Sequence, residues 1–110
     1  MYQGPFYQYD LDLLNRTLSE ALRAASENNC SMYYAMKANH ESKILEKIKS
    51  KGLGVDCVSS GEIERALEIG WASSKIVFAG SGKTLNEISY ALSNDIYMIH
   101  CESVEEFELV

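Results

Sequence analysis

Residues 52–80 read GLGVDCVSSGEIERALEIGWASSKIVFAG, and this stretch decides the fold class. Two short apolar runs, residues 55–58 and 75–79, flank a segment whose apolar residues recur at helical spacing, which predicts a strand, a helix and a second strand. A helix that joins two strands of one sheet crosses over with a right hand and leaves the strands parallel. The stretch therefore predicts an α/β protein with a parallel sheet.

The same alternation continues on both sides of this stretch. Apolar runs at residues 6–9, 32–36 and 96–101 predict further strands, with helices between them and no linker. Residues typical of helix ends mark these helices: Asp10 or Asp12 before the first, Gly52 after the second (residues 39–51), Gly70 after the third, and the capping-box pairs Ser59/Glu62, Thr84/Glu87 and Ser103/Glu106 before the last three. The last predicted helix is only about two turns long, so we expect part of a larger domain.

Two architectures fit this pattern, a doubly wound open sheet and an eight-stranded barrel. Four strand–helix units cannot close a barrel, which typically needs about 250 residues. In both folds, ligands bind beyond the carboxyl ends of the strands, so the residues that follow each apolar run are the candidates for function. These residues are small or polar: Lys37, Ala38 and Asn39; Ser59, Ser60 and Gly61; Gly80, Ser81, Gly82 and Lys83; and Glu102 and Ser103.

Composition excludes several classes of function. The chain has 46% hydrophobic and 24% charged residues, which is typical of a folded globular protein. Its formal net charge is −6, so there is no basic surface to bind nucleic acid. The apolar runs are far shorter than the roughly 20 residues of a membrane span. The start of the sequence does not resemble a signal peptide, and we therefore expect a cytoplasmic location and no membrane contact.

The cysteines and histidines do not predict a metal site. Cys30, Cys57 and Cys101 are widely separated, without the spacing of metal ligands, and we expect buried or half-buried thiols with neither a metal nor a disulfide. His40 and His100 are isolated. His100 could line a pocket because it ends an apolar run, but the sequence favours a packed or solvent-facing imidazole.

Lys37 ends the predicted strand at residues 32–36, where solvation is expected to be poor. Burial lowers the pKa of a lysine, and a neutral amine can react with a carbonyl substrate or with the aldehyde of pyridoxal phosphate. The alternative is a lysine that points to solvent, and position alone favours this alternative because exposed lysines are the rule.

The segment YAMKAN at residues 34–39, followed by Ile44, Leu45, Ile48 and Gly52, resembles the cofactor-lysine signature of the barrel-type pyridoxal phosphate decarboxylases. Residues 52–70 and 75–92 resemble the next two strand–helix pairs of this family as they occur in diaminopimelate decarboxylases, and residues 5–10 and 102–103 also fit. The ornithine decarboxylase branch usually has an Asn-Pro-Cys-Lys-like segment where this chain has AGSGKT. Ser60 departs from the glycine that is common at this position.

The resemblance implies a fold, a cofactor and two site residues. Residues 1–110 would be the N-terminal part, about four strand–helix units, of a TIM-like (β/α)8 barrel of the alanine racemase type. Lys37 would anchor pyridoxal 5'-phosphate and Asp56 would lie beside it, whereas Glu62 is explained as a helix cap. Asp56 could instead cap a helix at the end of its strand.

The same resemblance implies decarboxylation of meso-diaminopimelate to L-lysine by a homodimer. The remaining barrel strands and a C-terminal β domain would lie outside this chain, and activity would require them. Two alternatives stay open: an ornithine- or arginine-type decarboxylase of the same fold, and a non-catalytic α/β binding module.

A phosphate-binding loop is a rival interpretation of the segment GSGKT at residues 80–84. The spacing argues against it, because a Walker A loop needs a glycine where Val77 stands in a predicted strand. We expect instead that the small residues let this loop pass close to a cofactor.

Overall fold

The computed structural model describes residues 4–110, which form five helices and four strands. Two 3-10 turns, Met36–Ala38 and Ser73–Lys75, follow β1 and precede β3. In chain order the elements are α1 (Leu11–Glu27), β1 (Tyr33–Ala35), α2 (Ser42–Ser50), β2 (Gly54–Cys57), α3 (Ser60–Ile69), β3 (Ile76–Phe78), α4 (Leu85–Ser93), β4 (Met98–Ile99) and α5 (Val104–Leu109).

The strands form one parallel sheet in the order β1-β2-β3-β4. Each crossover therefore moves one strand further in the same direction, as in a barrel. A doubly wound sheet instead reverses its strand order at a switch point. The predicted parallel α/β fold is confirmed, and the strand order favours the barrel over the open sheet.

The two faces of the sheet differ in burial. Val55, Cys57, Ile76 and Phe78 are fully buried and belong to the hydrophobic core together with residues of the helices. The opposite face carries the row in which Ala35 pairs with Asp56, Asp56 with Val77, and Val77 with Met98. Because side chains alternate along a strand, these two sets point in opposite directions. We call the face with Asp56 the inner face.

The helix caps agree with the predicted ends. Asp10 caps α1 by accepting a hydrogen bond from Leu13 N at 2.9 Å. The caps of α3, α4 and α5 are Ser59, Thr84 and Ser103, and each hydroxyl accepts a hydrogen bond from the backbone N–H three residues further on. Gly70 ends α3 in the left-handed region, with φ of 108°.

Only one of the three predicted capping boxes is complete. The Glu87 carboxylate returns to the Thr84 N–H at 3.3 Å. Glu62 instead accepts from Val58 N at 2.9 Å, and Glu106 accepts from Glu102 N at 3.2 Å. The glutamates of α3 and α5 thus bind the backbone one residue before the cap.

One predicted strand does not form, and one predicted helix begins later than expected. Residues 6–9 do not form a strand, because a strand needs a partner for its backbone groups and the sheet of the described residues begins at β1. Tyr7 in this segment is 88% exposed. The second helix begins at Ser42 rather than at residue 39, because the Asn39 side chain accepts a hydrogen bond from Glu41 N at 2.9 Å and forms a turn.

The cysteines differ in environment. Cys57 is buried, as expected, and burial raises the pKa of its thiol to about 12. Cys30 and Cys101 are exposed, so the expectation of buried or half-buried thiols was wrong for both, because they lie in connections outside the core. Among residues 4–110, no cluster of three or more potential metal ligands occurs. None of the helices in this range combines the length and hydropathy needed to cross a membrane.

Candidate functional site at the carboxyl ends of the strands

Lys37 lies in the 3-10 turn Met36–Ala38, directly after β1 at the carboxyl edge of the sheet. Met36 takes the buried position of this turn, and Lys37 is exposed. The expectation that Lys37 is buried by its strand was therefore wrong, because the strand ends at Ala35 and the turn carries the next side chains out of the core. An exposed amine at this edge is accessible to a ligand.

The residues on both sides of Lys37 have structural roles of their own. Tyr34 Oη donates a hydrogen bond to Asn39 O at 2.8 Å, across the turn that contains Lys37. Burial raises the pKa of the Tyr34 phenol above its usual value, so the phenol remains protonated and able to donate at neutral pH. The turn also packs against β2. Its backbone is thus fixed at both ends while the Lys37 side chain remains free to reach a ligand.

Asp56 is the third of the four residues of β2, near the carboxyl end of the strand, and it pairs with Ala35 on one side and Val77 on the other. Its Oδ1 is buried and has no hydrogen-bond partner among residues 4–110. A buried carboxylate oxygen without a donor is costly and uncommon. Asp56 does not cap α3, because Ser59 does so. The capping alternative is therefore excluded, and the unpaired oxygen indicates a donor from outside these residues.

A cavity of about 150 Å³ opens on the inner face beside Asp56. Gly54 is at the other end of β2, and the Tyr33 ring covers it so closely that an added Cβ would lie 2.3 Å from Cε1 of that ring. The cavity is lined by Tyr33, Asp56, Val77, Tyr97, Met98 and His100.

Lys83 in the segment GSGKT is buried and fully engaged. Its Nζ donates to Gly80 O at 2.6 Å, to His100 O at 2.5 Å and to Glu106 Oε1 at 2.7 Å. All three hydrogens of the ammonium are therefore used within the protein. This geometry agrees with the rejection of a phosphate-binding loop, since the lysine of such a loop must reach a phosphate.

Two glutamates connect neighbouring loops at this edge. The Glu87 carboxylate of α4 also accepts from Ser60 N of α3 at 3.1 Å, and this hydrogen bond is the main cause that lowers its pKa. The hydrogen bond from Lys83 is the main cause that lowers the pKa of Glu106. Both carboxylates are therefore charged at neutral pH. These contacts connect the N-terminal ends of α3, α4 and α5, and we call this connected edge the supported rim.

Sequence reasoning singled out Lys37 and Asp56, listed Lys83 among the candidates after the strands and interpreted Glu106 as part of a capping box, but it did not predict that Lys83 and Glu106 form a pair. Their separation of 23 residues is not a recognisable spacing, and only the packing of α5 beside the loop brings them together. His100 was mentioned only as a residue that could line a pocket, and the structure places it on the cavity of Asp56.

A parallel sheet wound in one direction, with an accessible amine and an unpaired carboxylate at its carboxyl edge, defines a ligand-binding α/β domain of the barrel class. A profile of the family described as "Pyridoxal-dependent decarboxylase, pyridoxal binding domain" matches residues 11–110. The chain belongs to this family, and the expected cofactor is therefore pyridoxal phosphate.

Individual relatives agree with the family. The chain is 43% identical over 109 residues to diaminopimelate decarboxylase of Bacteroides thetaiotaomicron, covering 98% of this chain and 28% of the relative. It is 42% identical over 102 residues to a Staphylococcus aureus enzyme named 2-[(L-alanin-3-ylcarbamoyl)methyl]-2-hydroxybutanedioate decarboxylase, covering 93% and 25%.

Solved structures show the same fold. The crystal structure of Helicobacter pylori diaminopimelate decarboxylase complexed with L-lysine superposes with a TM-score of 0.88 at 38% identity. This match covers 98% of the chain and 27% of the solved structure. The chain thus spans little more than a quarter of the length of the relatives it matches.

Proposed function

We propose that this chain is the N-terminal part of a pyridoxal phosphate-dependent carboxy-lyase that converts meso-diaminopimelate to L-lysine. Diaminopimelate decarboxylases are similar over nearly the whole chain, and the related structure from Helicobacter pylori holds L-lysine. The activity belongs to a protein of the relatives' length, since residues 4–110 form four strands and a closed barrel of this class has eight.

The proposal rests on two groups near the carboxyl edge of the sheet, an accessible amine and a carboxylate oxygen without a hydrogen-bond donor, on neighbouring strands. Lys37 follows β1, and Asp56 Oδ1 lies in the neighbouring strand β2 without a donor among the described residues. Pyridoxal phosphate offers an aldehyde for the amine and a polar ring that can approach the carboxylate. The residues present therefore fit the cofactor.

Each residue has a distinct task in this proposal. Pyridoxal phosphate, when bound, accepts the electron pair that remains as carbon dioxide leaves. Lys37 would hold the cofactor through its Nζ and, when released, could move a proton at the reacting carbon. Asp56 Oδ1 would accept a hydrogen bond from a protonated nitrogen of the cofactor or from Lys37 and would favour the charged form of that nitrogen. The Tyr34–Asn39 hydrogen bond keeps the turn that carries Lys37 in place.

The choice of substrate depends on the segment AGSGKT at residues 79–84. The Staphylococcus aureus relative is 42% identical, within the range of 37% to 43% of the diaminopimelate decarboxylases, but carries the name of another decarboxylase. The segment AGSGKT supports meso-diaminopimelate over ornithine or arginine, because the ornithine branch has a different sequence there. The structure adds that this segment forms part of the supported rim of the site.

We also propose that the full-length protein is a cytoplasmic homodimer with a small amino acid as its partner. Neither nucleic acid nor a membrane is a proposed partner, in agreement with the net charge of −6.

The first prediction is that Lys37 is the lysine that pyridoxal phosphate modifies. The full-length protein is incubated with pyridoxal phosphate, reduced with borohydride and mapped by peptide mass spectrometry. We expect the label on Lys37 and its loss in Lys37→Ala. Lys43→Ala is the matched control, because Lys43 lies in the first turn of the nearby helix α2 rather than directly after a strand. A label on Lys43 or Lys83 in the wild type contradicts the assignment.

The second prediction concerns the substrate. Carbon dioxide release by the full-length protein is measured with meso-diaminopimelate, ornithine and arginine at equal concentrations. We expect release from meso-diaminopimelate to be fastest. Faster release from ornithine or arginine moves the protein to the neighbouring branch of the family, and labelling without release from any amino acid would favour a binding module.

A further inference from the structure

His100 lies directly after β4, two residues beyond Met98, and its side chain lines the same inner-face cavity as Asp56. Asp56 is on β2 and His100 directly follows β4, and these two strands are separated by two strand spacings of about 10 Å in total. The cavity thus has a carboxylate at one side and an imidazole at the other.

The backbone of His100 is fixed on both sides. Its N–H donates to Phe78 O at 2.8 Å, and its carbonyl accepts from Lys83 Nζ at 2.5 Å. The Lys83 side chain is only 1% exposed and lies 5.4 Å from the centroid of the Phe78 ring. Glu106 of α5 completes this environment with an ion pair of 2.7 Å. Lys83 thus sets the position from which the imidazole extends.

The imidazole of His100 is available to form a hydrogen bond with a ligand. Its Nε2 lies 3.1 Å from Met98 Sδ, and a thioether is a weak acceptor. The ring is exposed on the cavity side, so a polar group of a ligand can replace or add to this contact.

We propose that His100 is a ligand-contacting residue of this site and that Lys83 is its positioning residue. The imidazole forms a hydrogen bond with a polar group of the bound cofactor or of its amino-acid substrate. This inference rests on the proposed function, because that function supplies the ligand.

The test compares His100→Phe with His100→Asn in the full-length protein. Phe keeps a ring without polar atoms, whereas Asn keeps a group that can form a hydrogen bond. The dissociation constant for pyridoxal phosphate is measured by absorbance titration, and KM is measured with meso-diaminopimelate. We expect His100→Phe to raise one of these constants about tenfold, the effect of a lost hydrogen bond to a charged group, and His100→Asn to restore part of the loss.

The two constants distinguish the two ligands. A higher dissociation constant for pyridoxal phosphate assigns the contact to the cofactor, and a rise confined to KM assigns it to the substrate. His40→Phe is the control, because His40 is the other histidine of the chain and does not line this cavity. The inference is overturned if His100→Phe changes neither constant more than His40→Phe does. A wild type that is not labelled at Lys37 instead overturns the proposed function.

A double-mutant cycle tests the role of Lys83. If Lys83 acts through His100, adding Lys83→Met to His100→Phe produces little further change in the affected constant. Additive effects show that Lys83 does not act through His100. Circular dichroism verifies folding, and if Lys83→Met does not fold, the cycle is run with Glu106→Gln. That change weakens the ion pair but leaves the Ser103 cap of α5 in place.

Discussion

Lys37 and Lys83 are both at the carboxyl edge of the sheet, but their environments give them different tasks. Lys37 is exposed after β1, and its amine has no ion pair or hydrogen bond within the part of the chain that the structure describes. Lys83 donates three hydrogen bonds inside the protein. The position of a lysine after a strand therefore does not determine its function. What determines it is whether the fold uses the N–H donors of the ammonium, as for Lys83, or leaves them available to a ligand, as for Lys37.

The third prediction follows from the lowered pKa of Glu106. A group whose pKa is lower in the folded state stabilises the protein above its ordinary value, 4.5, and this contribution is lost as the pH falls through the folded value. We therefore expect Glu106→Gln to reduce the free energy of unfolding at pH 7. This difference from the wild type should shrink as the pH falls below 4.5. Urea unfolding at several pH values measures both.

Glu108→Gln is the control for this prediction, because it removes the same charge from the same helix at an exposed position. If Glu106→Gln and Glu108→Gln show the same pH dependence of stability, the Lys83–Glu106 pair does not contribute.

At the scale of elements, the helices α3, α4 and α5 share one design. Each begins after a strand with a Ser or Thr cap, and each has a glutamate three residues later that binds backbone N–H groups near the cap. A carboxylate in the first turn also interacts favourably with the positive end of the helix dipole. The caps thus begin the helices at the edge where the ligand is proposed to bind, and they leave its polar loops well supported.

The fourth prediction compares two glycines in adjacent elements. An added Cβ at Gly54 in β2 would lie 2.3 Å from the Tyr33 ring and 2.8 Å from the Lys75 carbonyl oxygen. We expect Gly54→Ala to lower the free energy of unfolding by about 1–3 kcal/mol, as overpacking does. At Gly61 in α3 the nearest atom is Ser59 Oγ at 3.8 Å.

Gly61→Ala should therefore leave stability unchanged or raise it by about 0.4–1 kcal/mol, because alanine restricts the unfolded chain more than glycine does. Urea unfolding of both variants measures the contrast. Equal losses at the two positions would show that the close approach of Tyr33 to β2 is not what requires glycine.

At the scale of the whole molecule, several large apolar side chains are exposed on the described residues. Phe107 in α5 is 69% exposed, and Val104 and Leu85 are also exposed. The outer backbone groups of β1 and β4 have no further strand beside them in this sheet. Exposed apolar patches and open strand edges favour association.

The fifth prediction is that the 110-residue chain by itself self-associates and has no decarboxylase turnover. Light scattering is expected to show species larger than a monomer, and replacement of Val104 and Phe107 by lysine should increase the monomer fraction. Turnover should be absent because a barrel site is shared among the ends of many strands. A compact monomer that releases carbon dioxide at about 1 per second or more, near a normal enzyme rate, contradicts this prediction.

Local features of the sequence were sufficient to determine the order of the elements from α1 onward. Helix caps act over three residues and strand or helix periodicity over five to ten, so Asp10, Ser59, Thr84, Ser103 and Gly70 could be read directly. The segment YAMKAN predicted a role for Lys37 in the same way, since a family signature is a local pattern.

Contacts between distant residues were decided only by the tertiary structure. Lys83 meets His100 across 17 residues and Glu106 across 23 residues, and these contacts depend on how β4 and α5 pack beside the β3–α4 loop. The exposure of Lys37, the unpaired oxygen of Asp56 and the absence of a strand at residues 6–9 likewise depend on which neighbours the sheet provides. Sequence spacing carries no information about such neighbours, because burial and hydrogen bonding are set by the packed assembly of elements.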